Sequence, residues 1–147
     1  MTTEKSKICF LQAKEALSNN NEQLALEYFE RAIQQERTPE NCSYLGYCLA
    51  TQRKNFNEAI SLLQEAIDRE PENPLHYLNY GHILSMTEDK DQAAVILRQG
   101  LEYGMQFEIL GALEVIGPRK PPVFRSLPRK HFINRYIGLI LSKFKLR

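Results

Sequence analysis

Shifted by 34 residues, this sequence falls onto itself. Ala25 lands on Ala59 and Ala93, Phe29 on Leu63 and Leu97, Ala32 on Ala66 and Gly100, and Ile33 on Ile67 and Leu101. The columns are separated by four, three and one residues, a spacing that places them on one face of an α-helix. Two columns hold only small residues, as a helix needs where another comes close. Upstream of each lies a second helical run with a small residue of its own. That residue is Ala13, Gly46 or Gly81, standing 12, 13 and 12 residues before the first alanine of its column. Turn-formers separate the runs: Ser18-Asn19-Asn20-Asn21, Arg53-Lys54-Asn55 and Thr87-Glu88-Asp89-Lys90. Pro39 and Pro71 follow units one and two and are expected to stop their helices. The pattern predicts three helix-turn-helix units, each burying its apolar face only against its neighbours.

The residues in these columns carry a family resemblance. Leu45-Gly46, Phe56, Ala59, Leu63, Ala66 and Pro71 resemble the signature of the tetratricopeptide repeat. Tyr77, Gly81, Leu84, Ala93, Leu97 and Gly100 resemble it again, and Ala13, Ala25, Phe29 and Ala32 form a weaker copy. The resemblance covers about residues 5–103 and implies an all-α fold, a right-handed α–α superhelix with units over about 5–37, 38–71 and 72–104. The large residue usual at the fourth position of a unit is present as Tyr77, whereas Cys9 and Cys42 stand there in the others. The third unit has Gly104-Met105 in place of a closing proline. The segment containing Ile116-Gly117-Pro118-Arg119 and Leu127-Pro128-Arg129 is similar to the C-terminal extension of some bacterial members of the family.

In this family the first helix of each unit lines a concave groove in which ligands lie. Carried onto this sequence, the positions are Lys7, Phe10, Lys14 and Leu17 in unit one. Units two and three contribute Glu40, Ser43, Tyr47 and Ala50, then Leu75, Leu78, His82 and Ser85. Of these, Lys7, Phe10, Lys14, Leu17, Ser43, Tyr47, Leu75, Leu78 and His82 are the candidate partner-binding residues. The subclass that grips a terminal carboxylate uses Lys, Asn and Arg side chains. Here Lys14, Tyr44, Leu75 and Asn79 stand where Asn, Asn, Lys and Arg would be needed, so that clamp is missing. Phe10, Leu17, Tyr47, Leu75 and Leu78 form instead an apolar strip bordered by two lysines and His82, suited to an amphipathic helix or an extended apolar peptide. Packing of Leu75 and Leu78 on the chain's own tail is the competing reading.

Charge divides the chain. Residues 1–117 carry ten Lys/Arg against eighteen Asp/Glu, a net of −8, whereas residues 118–147 carry nine Lys/Arg and no acid, a net of +9. Residues 105–117 (apolar at 107, 109, 110, 113 and 116) predict a seventh helix that caps the stack. Three prolines in the five residues from Pro118 forbid helix, so 118–131 reads as a basic strap. Residues 132–147 read as a basic amphipathic helix with Ile133, Ile137, Ile140, Leu141 and Phe144 on one stripe. Arg129, Lys130, Arg135, Lys143 and Lys145 are its candidate contact residues. Three fates are open to that helix: packing on its own repeats, joining another copy or another protein, or lying on an anionic membrane surface.

Chemistry is sparse. At 147 residues, 43% apolar and 25% charged, the chain is the size of one soluble domain. Its longest apolar runs are far short of the roughly 20 residues that cross a bilayer. Three cysteines build no disulfide framework, and a reducing cytoplasm is the expected location. His76 and His82 stand six apart, on different helix faces, as do Cys42 and Cys48, so neither pair shares a metal. There is no Cys-x-x-Cys, no His-Glu-x-x-His and no glycine-rich phosphate loop. No cofactor and no catalytic residue is expected. Nucleic acid is an unsuitable partner for so acidic a body, because it would repel phosphate. What the sequence predicts is a non-catalytic adaptor that binds a partner through the groove, the tail or both. A peripheral membrane-associated assembly factor is the alternative.

Overall fold

A computed structural model describes residues 2–117 and, beyond them, only position 137. The chain divides into two units, residues 1–117 and 118–147. The strap and the basic terminal helix therefore lie outside the described residues, as do Arg129, Lys130, Arg135, Lys143 and Lys145. Unit 1–117 is built of α1 (Thr2–Ser18), α2 (Glu22–Gln35), α3 (Pro39–Arg53), α4 (Phe56–Arg69), α5 (Pro74–Met86), α6 (Lys90–Gly100) and α7 (Gln106–Ile116), with no strand among the described residues.

Local chemistry sets these boundaries. Asn21 and Asp89 cap α2 and α6, each accepting a hydrogen bond from the backbone N–H three residues on. Thr38 does the same for α3, and the Asn73 side chain accepts from Leu75 N–H at the start of α5. Pro71 stands just past the end of α4, where a stop was expected. Pro39 instead is the first residue of α3, as Pro74 is of α5. A first-turn residue has no intrahelical partner for its N–H, so proline loses nothing there. The 34-residue period is also written in the backbone. Asn20, Lys54 and Glu88 all take positive φ, at 57°, 55° and 64°, to turn the chain from the first helix of each unit into the second.

Packing follows the columns. Ala25, Phe29, Ala32, Ala59, Leu63, Ala66, Ala93 and Leu97 are all at zero exposure. The small residues of the opposing helix let them in: a Cβ on Gly46 would stand 2.3 Å from Leu63, and one on Gly81 2.4 Å from Leu97. Truncating either leucine to alanine would remove a buried isopropyl group and leave a cavity, at about 2–5 kcal/mol. The helices pair as α1 with α2, α3 with α4, and α5 with α6, and each pair leans on the next through α2 against α3 and α4 against α5. Helix α7 packs on α6 and α5, burying Ile109 and Ala112 beside Leu78 and Leu97.

Candidate inner-face interaction site

The inner helices α1, α3 and α5 meet in a fixed register. The residue three before the small position of one helix meets the residue two before it in the next. At the first junction these are Phe10 and Tyr44, whose rings lie edge to face with centroids 5.5 Å apart. Phe29 from α2 completes the cluster, stacked on Tyr44 at 5.2 Å and edge-on to Phe10 at 5.8 Å. The Lys14 ammonium lies 5.6 Å from the Phe10 ring centre and 5.8 Å from that of Tyr44 while the side chain stays exposed. A cation over two aromatic faces is held by their quadrupoles.

At the second junction the same two positions are Ser43 and Asn79, both buried, and the Asn79 amide donates to Ser43 Oγ at 3.0 Å. Further along, Tyr47 and His82 meet edge to face at 6.3 Å. Burial pushes the Tyr44 and Tyr47 hydroxyls above their ordinary value and holds His82 below its own, so at neutral pH this stretch is uncharged. Burial also raises the Glu40 carboxyl, with Lys14 pulling the other way.

The sequence candidates thus separate. Phe10 and Lys14 join Tyr44 in one cluster, and Tyr47 joins His82 in another. Lys7 is exposed on α1, and Leu17 and Leu75 are half-buried. Ser43 is spent on Asn79, and Leu78 is only 8% exposed, in the cluster with Ile109. The positions where a carboxylate clamp would need Asn and Arg are occupied by Tyr44, committed to its ring stack, and Asn79, committed to Ser43.

Two features escaped the sequence. Glu65 is not a simply solvated acid: Arg37 donates to both its oxygens at 2.9 and 2.7 Å, and Arg69 adds a third bond. That network, with Arg53–Glu30 at 2.6 Å, flanks a cleft of about 410 Å³ whose lining includes Ile33, Leu45, Leu49 and Leu62. His76 is fully buried, its Nε2 3.3 Å from Glu70 and its Nδ1 without a hydrogen-bond partner. One unit earlier Asn41 holds the same position and donates to Ser6 Oγ at 3.2 Å. The position equivalent to Ser6 is Pro39 in the next unit, and a proline ring offers no such group. The 34-residue spacing could have paired these residues, but the orphaned nitrogen is a tertiary fact.

Sequence models of the tetratricopeptide repeat match residues 6–39 and 50–114. The chain belongs to the tetratricopeptide-repeat family. Solved domains of that family share its fold. The TPR domain of Arabidopsis OM64 superposes with a TM-score of 0.68 at 16% identity, covering 79% of this chain and 97% of that domain. The first TPR domain of Spaghetti (RPAP3), bound to the HSP90 peptide SRMEEVD, gives 0.66 at 15% identity, covering 78% and 94%. The TPR2B domain of yeast Sti1, in a complex described as pHsp70, gives 0.65 at 17%, covering 77% and 96%. No curated protein sequence matches this one. No described helix is long and apolar enough to cross a membrane.

Proposed function

We propose that this tetratricopeptide-repeat chain is a non-catalytic adaptor that holds a partner segment along α1, α3 and α5. The observation that carries the reading is the mixed strip on those helices. Lys14 stands exposed over the Phe10 and Tyr44 rings, Lys7 is exposed about two turns before it on α1, and Tyr47 and His82 continue the aromatic surface. Such a strip suits an amphipathic helix or an extended apolar peptide whose acidic residues meet the lysines. The similar domain of RPAP3 is bound to an HSP90 peptide, and that of Sti1 is in a pHsp70 complex. This chain has a different inner face, because Tyr44, Leu75 and Asn79 leave no set of cations for a terminal carboxylate.

Selection of random peptides on the full chain, followed by titration of a selected peptide, tests the reading. Lys14→Glu and Tyr47→Ala should each weaken binding by about tenfold or more, and Asp68→Ala, on an exposed outer position, should change nothing. Peptides insensitive to both inner-face substitutions, or a preference for acidic carboxy termini, would reject it. A second reading draws on the +9 of residues 118–147: the tail attaches the chain to an anionic membrane or to another copy. The combined variant Arg135→Glu, Lys143→Glu, Lys145→Glu would then abolish salt-sensitive co-sedimentation with anionic vesicles, or dissociate an oligomer seen by light scattering.

A further inference from the structure

Helix α7 repeats a spacing that α3 and α5 use to receive their partner helices. Cys42, Leu45 and Gly46 stand in α3, Tyr77, Tyr80 and Gly81 in α5, and Phe107, Leu110 and Gly111 in α7. In the first two helices all three residues are buried, with Leu63 or Leu97 of the second helix seated over the glycine. In α7 the same positions are open. Phe107 is 92% exposed and Leu110 49%, and a Cβ on Gly111 would meet nothing within 4 Å. Val115, one turn past the glycine, is 86% exposed. The inward side of α7 is nonetheless in register. Ile109 stands two residues before the glycine, as Tyr44 and Asn79 do, and is buried in one cluster with Leu78, three before Gly81. Helix α7 thus packs on the third unit in the register that an inner helix uses.

A stacked-repeat protein needs a polar outer face on its last unit, because nothing else covers it. This face carries an apolar stripe at 107, 110, 111 and 115 instead. Its rim is charged in one sense only: residues 101–117 contain Glu102, Glu108 and Glu114, all exposed, and no Lys or Arg. We propose that the outer face of α7 is a docking surface for a basic amphipathic helix of a partner protein, taken up in place of a second helix. A large apolar side chain sits over Gly111 as Leu63 sits over Gly46. Flanking apolar groups cover Phe107 and Val115, and Lys or Arg meet Glu108 and Glu114. A second copy fits less well. Two α7 helices crossing antiparallel at Gly111 would set Glu108 of each against Glu114 of the other, like charge on like charge.

The test uses the full chain and two synthetic helical peptides of about four turns that share one leucine stripe, the remaining positions being lysine in one and glutamate in the other. Fluorescence anisotropy should show the lysine peptide binding at least about tenfold more tightly than the glutamate peptide. Phe107→Ser and Gly111→Leu should each cost it about tenfold or more without lowering the melting temperature, since neither position is packed. Gly111→Leu should raise the melting temperature, because leucine favours helix over glycine, so lost binding cannot be blamed on unfolding. Absence of binding, or binding that neither substitution changes, overturns the proposal. So does concentration-dependent dimerisation that Phe107→Ser abolishes, or a photo-cross-linker at position 107 that captures only this chain's own peptides while the lysine peptide is present.

Discussion

The first and second inner junctions are the same joint built from different chemistry. Phe10 meets Tyr44 where, 33 and 35 residues on, Ser43 meets Asn79. One joint is three aromatic rings, counting Phe29, with a lysine above them. The other is a single buried amide–hydroxyl bond. The third joint, Leu78 with Ile109, is aliphatic. Backbone register is therefore indifferent to what fills it, and the chemistry of each joint is free to set local stability and the character of the inner surface beside it.

The sharpest way to break this comparison is to empty the aromatic joint. Phe29→Ala removes a fully buried ring stacked on Tyr44, and urea unfolding should report a loss of about 3–5 kcal/mol. A loss below about 1 kcal/mol would mean the cluster collapses without cost and the two joints are energetically alike. The polar joint should respond less and in a different manner. Ser43→Ala strands the buried Asn79 amide and should cost about 1–3 kcal/mol. Adding Asn79→Leu to that variant should recover most of the loss, because replacing both partners removes the unmet demand. If the double variant is worse than the single one, the bond contributes more than satisfaction of its own groups.

The smallest effect is on pH dependence. Burial holds the His76 imidazole below its ordinary value, with Glu70 opposing. The unfolded chain then takes up that proton near pH 6.5 while the folded chain resists it. Stability should fall as pH drops through about 6.5 toward the folded value, and be fully present above it. His76→Asn, which copies Asn41 from the preceding unit, should flatten the fall in melting temperature between about pH 7.5 and about pH 5.5. His82, also lowered by burial, keeps part of the slope. An unchanged slope in His76→Asn would assign the whole effect elsewhere.

Much of the helical architecture was legible because it is periodic. The columns at Ala25, Phe29 and Ala32 and their repeats specify the buried face, and Asn20, Lys54 and Glu88 fall at the same interval in the turns. The inner-face candidates were legible only as positions. Ser43 and Leu78 occupy the places expected of them yet are buried, since each is met by a residue of the next unit. Pro39 was misread as a stop, because a proline ends one helix and starts another with equal ease and only the capping Thr38 tells which.

Amphipathic spacing, small-residue columns and turn chemistry act over a few residues and add up along the chain, so the amino-acid order alone determined the paired helices and their stacking. Whether a given side chain on those helices is free or spent depends on a residue some 35 positions away. That is why only the tertiary structure decided that Tyr44 joins an aromatic cluster, that Asn79 satisfies Ser43, and that His76 keeps an unpartnered nitrogen. It also decided that one three-residue pattern is buried at Gly46 and Gly81 and open at Gly111. The difference is the presence of a second helix against it.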